Sequence, residues 1–149
     1  MIMNFPFFVY VWRFIGSPLF SIIPYRPFVL RRVYLRFWGA SLAPSTRIYG
    51  GVQIFNPKKL FMGEGSCLGS GVKILNTDWV SIGANSIVSF EAVICTASKR
   101  RSDDGRWIFC ESPIRIGDSC FIGAQAFLTL GAVVKDEEFV KVRQVVSRS

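Results

Sequence analysis

The chain has 149 residues, half of them hydrophobic and 14 of them Phe, which is ample for the core of one domain. Lys and Arg outnumber Asp and Glu 18 to 10, a net charge of +8. With no helix-turn-helix, zinc or RNP-like pattern, that excess points away from nucleic acid. It points toward anionic lipid headgroups or the phosphates of a cofactor or lipid-linked sugar.

In chain order, residues 1–23 are strongly apolar and aromatic, with Arg13 in their middle and Pro6 and Pro18 flanking it. A spanning helix needs about 20 uninterrupted apolar residues, and Gly16-Ser17-Pro18 breaks this run early. A signal peptide needs a charged start and an A-x-A-like exit, and neither is present. The segment therefore predicts one or two short helices that lie on a membrane or cap the end of the fold. Residues 27–38, PFVLRRVYLRFW, predict a further helix with Pro27 in its first turn. Its apolar stripe runs through Phe28, Leu30 or Arg31, Leu35 and Trp38, with Arg31, Arg32 and Arg36 beside it. Two readings of this basic, aromatic helix stay open: an interfacial helix on lipid, or a solvated helix packed on the base of the domain. Gly39 supplies a left-handed C-terminal cap.

From residue 39 onward the pattern changes to units of six. Ile116-Gly117-Asp118-Ser119-Cys120-Phe121 and Ile122-Gly123-Ala124-Gln125-Ala126-Phe127 are followed by a unit opening at Leu128. Units also open at Met62, Leu68, Ile82, Val88 and Ile94, with weaker ones at Ile48 and Ile54 and slips before Met62 and at Asp78-Trp79. Neither the two-residue period of a strand nor the 3.6-residue period of a helix explains a period of six. A triangular coil does. The expected fold is all-β, a left-handed parallel β-helix with the aliphatic residues inside and the small fifth-position residue allowing each corner. A helical segment at 1–38 precedes the coil at 39–149.

Residues 99–113 break register, with Asp103-Asp104-Gly105 as a turn signal. A loop carried by a rigid coil is where function is expected. Beyond Val134 the inward positions persist at Val140 and Val146, but Lys135 and Lys141 stand at the Gly position, and Glu138 and Gln144 at the small one. The last turn is expected to be present but imperfect, its long polar side chains turned out to solvent. Cys67, Cys95, Cys110 and Cys120 lack metal-site spacing and there is no histidine, so no metal is expected and a reducing compartment fits.

These residues resemble the hexapeptide-repeat acyltransferases, most closely the small sugar O-acetyltransferases of exopolysaccharide and colanic-acid biosynthesis, related to the maltose and nodulation-factor acetyltransferases. The resemblance rests on LRRVYLRFWGASL, VSIGANSIVSFEAVICTAS and IRIGDSCFIGAQAFLTLGAVV. It implies acetyl transfer from acetyl-CoA to a sugar or polysaccharide-precursor hydroxyl in a trimer, with sites in the clefts between subunits. It also implies a cytoplasmic location, peripheral on the inner face of the membrane if residues 1–38 touch lipid. The family's base histidine, which takes the acceptor's proton, corresponds to Lys99, after Cys95-Thr96-Ala97-Ser98. A lysine ordinarily keeps its proton at neutral pH. Asp103 or Asp104 offers a carboxylate instead.

By the same resemblance Asn76 lines the acceptor cleft, with a corner residue bonding its own backbone as the plainer alternative. Ala124 faces the pantetheine arm, Val142 stands where a small residue would keep its tunnel open, and Ser147 and Arg148 match a Thr-Lys pair near the nucleotide. Two functions remain open: a membrane-associated O-acetyltransferase, or a non-catalytic relative working in a mixed trimer.

Overall fold

The structure, a computed structural model, describes residues 5–148; the first four residues of the apolar N-terminal segment lie outside that range. Three parallel sheets of five strands each form the walls of a left-handed β-helix. The first wall holds Ser41–Leu42, Leu60–Met62, Val80–Ile82, Ile114–Ile116 and Val133–Val134. The second holds Arg47–Ile48, Cys67–Leu68, Ile87–Val88, Phe121–Ile122 and Phe139–Val140. The third holds Gln53–Ile54, Lys73–Leu75, Val93–Cys95, Phe127–Leu128 and Val145–Val146.

Strand pairing stacks the unit-opening aliphatic residues in register down each wall. Leu42, Met62, Ile82, Ile116 and Val134 form one such stack. Ile48, Leu68, Val88, Ile122 and Val140 form the second. Ile54, Ile74, Ile94, Leu128 and Val146 form the third. All are buried except Val146, which is half-buried. The core is therefore a filled prism, and the period of six is the length of one wall plus one corner.

The corners turn on the fourth position of the unit, not the fifth. Asn85, Glu91, Ser119, Gln125, Glu137 and Arg143 all have φ between 55° and 63°, in the left-handed region. The fifth-position residues, such as Cys120, Ala126 and Ala132, point inward and are buried. They are small because the prism narrows there, while the bend itself is made one residue earlier.

The two slips fall at one corner. Each sits where the chain passes from the third wall to the first, and each lengthens the incoming strand by one buried residue, Leu60 and Val80. In the fifth coil Glu138 and Gln144 do turn outward, as expected, and accept hydrogen bonds from Lys135 N and Lys141 N, both 2.8 Å.

Before the coil, α1 (Phe7–Val11), a π turn (Trp12–Gly16) and α2 (Ser17–Ile22) run on without a break. Ser17 N–H donates to the Trp12 carbonyl five residues back, and the wider turn accommodates Pro18 directly after it. α3 spans Phe28–Phe37, with Pro27 as its N-cap rather than in its first turn. It ends in a Schellman cap: Gly39, at φ +96°, donates to Arg36 O and Ala40 donates to Leu35 O.

These helices pack on the first coil. Trp12 Nε1 donates to Ile54 O at 2.8 Å, Arg32 Nη1 to Thr46 O and Arg36 Nε to Leu42 O. Trp12, Phe20 and Leu35 join the core of the prism, each worth about 2 kcal/mol or more of apolar burial. On α3 the buried stripe takes Arg31 rather than Leu30. Its guanidinium lies 4.1 Å over the Phe20 ring and donates to Ile23 O, and burial lowers its pKa. Packing on the coil thus occupies one side of the helices and leaves the other bare.

Candidate active site

The register break at residues 99–113 is a β-hairpin rather than an open loop. Ala97–Arg101 pairs antiparallel with Trp107–Glu111, and Gly105 at φ +82° closes the turn. The hairpin leaves the coil at the same third-to-first corner where the slips fall. That corner carries a column of buried polar residues, Asn56, Asn76 and Thr96. Asn76 Oδ1 accepts from Asn56 N, and Asn76 Nδ2 donates to Asn56 O and Lys59 O. Thr96 Oγ1 accepts from Asp78 N, and Ser112 N donates to Thr96 O, which ties down the base of the hairpin.

A cavity of about 280 Å³ lies between this corner, the hairpin and the start of the N-terminal helices. Its polar lining comes from Asn56, Lys59, Thr77 and Glu111, and its apolar lining includes Phe5, Phe55 and Phe109. Lys59 Nζ donates to Thr77 O at 2.6 Å. Glu111 is the one carboxylate in the lining.

Lys99 lies directly opposite Phe109 in the hairpin, and Ala97 opposite Glu111. Side chains alternate across a strand and opposed residues share a face. Lys99 is therefore on the face that carries Phe109 and Glu111, exposed and beyond the lining itself. Asp104 sits at the far turn, where hydrogen bonds from Arg106 and then Ser102 hold its carboxyl below the usual carboxylate range. That makes Asp104 a weaker base than an ordinary carboxylate and directs it into its own turn.

Asn76 is fully buried and its amide is engaged with the main chain of the neighbouring coil, not with its own backbone. The four residues matched to the cofactor lie farther along the prism, in the fourth and fifth coils. Ala124 is half-buried and its carbonyl accepts from Arg143 N. Val142 follows Val140, the partner of Ile122, by two residues, which sets it beside Ala124 of the preceding coil, and it is exposed. Ser147 and Arg148 are exposed at the next corner, so the two pairs flank the wall formed by Phe127–Leu128 and Val145–Val146.

The base of the hairpin and the last of the cofactor positions meet at Gly131. Gly131 N donates to Ser112 O, and a Cβ built there would lie 3.2 Å from both Ser112 Oγ and Arg148 Cδ. Sequence reasoning passed over Lys59, Phe109 and Glu111. For Glu111 a signal existed: it is the carboxylate directly before the Ser-Pro that restores the repeat. Lys59 carried none.

Solved structures share this fold. A maltose O-acetyltransferase from Clostridium difficile 630 superposes with a TM-score of 0.77 at 20% identity, covering 89% of this chain and 72% of that one. A hexapeptide-repeat-containing acetyltransferase from Vibrio cholerae gives 0.66 at 18% identity, covering 88% and 80%. AntD, an N-acyltransferase from Bacillus cereus solved with dTDP-4-amino-4,6-dideoxyglucose and coenzyme A, gives 0.60 at 12% identity, covering 78% and 80%.

The six-residue units and the coil give this chain the fold of those acyltransferases, and its sequence is similar to proteins of the same kind. In sequence it is similar to the colanic acid biosynthesis acetyltransferase WcaF of Escherichia coli (strain K12). The two are 27% identical over 141 residues, covering 95% of this chain and 77% of the relative. The WcaF of Shigella flexneri matches equally. No family model matches the chain.

Proposed function

We propose that this protein is an acetyl-CoA-dependent O-acetyltransferase acting on a hydroxyl of a sugar or polysaccharide precursor, assembled as a trimer. The observation that carries the reading is the cavity under the hairpin, where a carboxylate, a cation and hydroxyl and amide groups converge beside aromatic walls. Aromatic walls with a few placed polar groups suit a sugar ring. The likeness to a maltose O-acetyltransferase in fold and to WcaF in sequence supports the same chemistry.

In this reading acetyl-CoA lies along the fourth and fifth coils. Ala124 and Val142 flank the pantetheine arm, and Ser147 and Arg148 meet its phosphates, where a cation suits the charge. The acceptor occupies the cavity. Its hydroxyl oxygen attacks the thioester carbonyl carbon as Glu111 takes the hydroxyl proton. The C–S bond breaks, and the departing sulfur takes the proton back from Glu111. Lys99, on the same hairpin face, offers positive charge to the carbonyl oxygen as it becomes anionic. Asn76 acts by holding the corner that shapes the cavity.

Calorimetry with acetyl-CoA, together with thiol release over a panel of sugar acceptors, tests this. Glu111→Gln is expected to lower turnover by about a hundredfold or more and leave acetyl-CoA affinity unchanged. If Lys99→Ala abolishes turnover while Glu111→Gln spares it, the proton acceptor is Lys99. The complete lack of histidine favours a second reading, a non-catalytic subunit of a mixed trimer. Failure to bind acetyl-CoA at all would decide for it.

A further inference from the structure

The bare side of the N-terminal helices carries the most exposed large hydrophobic side chains among the described residues. α1, the π turn and α2 bury Val9, Trp12 and Phe20 toward the coil and α3, and leave Phe7, Phe14 and Ile22 at 82%, 77% and 75% exposure. α3 likewise buries Arg31 and Leu35 and leaves Val33 and Phe37 outside, the latter 82% exposed. Where the helices meet, Ile23, Leu30, Val33 and Phe37 line an open apolar groove of about 500 Å³ with no charged residue in its walls. An apolar face of this extent marks an interaction surface.

Charge identifies what covers it. The first acidic residue of the chain is Glu64, and eight Lys and Arg residues precede it. The remaining ten basic residues are balanced by the ten acidic ones, so the whole net charge of +8 belongs to the helices and the first coil. Arg32 and Arg36 are bonded to carbonyls of that coil. Arg13 and Arg26 are exposed, each over an aromatic ring, Phe55 and Tyr25. A second copy docked on this face would bring two segments of like charge together. An anionic lipid surface answers both features, taking the aromatic and aliphatic side chains at its interface and the arginines among its headgroups.

We propose that the outer face of the N-terminal helices is a docking surface for an anionic membrane, on which the protein lies without crossing it. Among the described residues no helix is long and apolar enough to span a bilayer. The face holds the coil at the bilayer with its helix-covered end toward the lipid.

The test is flotation of the purified full chain with phosphatidylcholine vesicles, with and without phosphatidylglycerol, and needs no acetyl-CoA. Its outcome is therefore independent of whether the chain transfers acetyl groups. The chain is expected to float with the anionic vesicles and at least about tenfold less with the neutral ones. Raised salt is expected to reduce the anionic binding. The pair Phe14→Glu and Phe37→Glu, both at exposed positions, is expected to abolish flotation without moving the thermal unfolding midpoint. Arg13→Gln with Arg26→Gln is expected to weaken it. No flotation of the unmodified chain, or flotation unchanged by Phe14→Glu and Phe37→Glu, overturns the proposal. So does a change of oligomeric state in that double variant with no vesicle binding by the parent chain, which would give the face to a second copy.

Discussion

Asn76 fills three hydrogen-bonding roles inside the prism, accepting from Asn56 N and donating to Asn56 O and Lys59 O. Asn76→Ala would leave those main-chain groups without a partner and out of reach of bulk water. The expected loss is roughly 3 kcal/mol of stability, read as a lower urea midpoint. Asn76→Asp is expected to be destabilising as well, since a carboxylate keeps the acceptor and forfeits both donors.

Cys67 acts through its environment in a different way. Burial between Arg47 and Ile87 pushes its thiol above the usual range, with the Arg47 charge opposing in part. The folded-state value exceeds the unfolded one, so the stabilisation is complete below the ordinary thiol value of 9.0. It is lost as pH rises through the folded value. Denaturation midpoints measured on both sides of that value are expected to fall at the alkaline end, and Cys67→Ala to flatten that fall.

At the scale of the element, the glycine of each unit is set by stacking rather than by backbone dihedral. A Cβ at Gly123 would sit 2.5 Å from Val142 N, and one at Gly83 would sit 2.4 Å from Gly117 O. Both are backbone atoms of the next coil, which cannot step aside. Gly123→Ala is expected to cost roughly 2–3 kcal/mol in urea unfolding, whereas Lys141→Ala is expected to be nearly neutral. Lys135 and Lys141 occupy the corners of the fifth coil, whose three strands are sheet edges among the described residues. The glycine pattern lapses there, while the coil itself continues in register.

Over the whole molecule, the parts legible from sequence were those governed by one repeated constraint. Each aliphatic residue that opens a unit lands in one of three internal stacks, because every coil faces the same prism wall. The corner mechanism was less legible, since Ser119, Gln125 and Arg143 share a left-handed φ without sharing a side-chain type. Leu30 and Arg31 fitted the helical stripe about equally well. The choice was made by Phe20 and Ile23, which belong to another part of the chain. The hairpin was visible as a break in register, yet its pairing of Lys99 with Phe109 and Ala97 with Glu111 required the antiparallel alignment. Glu111 and Lys59 came together because residues more than fifty positions apart line one cavity, a relation no local pattern encodes.

The bond from Trp12 to the Ile54 carbonyl spans 42 residues, and that separation sets an order of events during synthesis. At 5–20 residues per second, the acceptor is made about 2–8 s after the donor. Through that interval the N-terminal helices have no coil to bury Trp12, Phe20 and Leu35, and both of their sides are apolar. The nascent chain therefore offers its stickiest segment to whatever is nearest the ribosome before the solenoid exists to cover half of it.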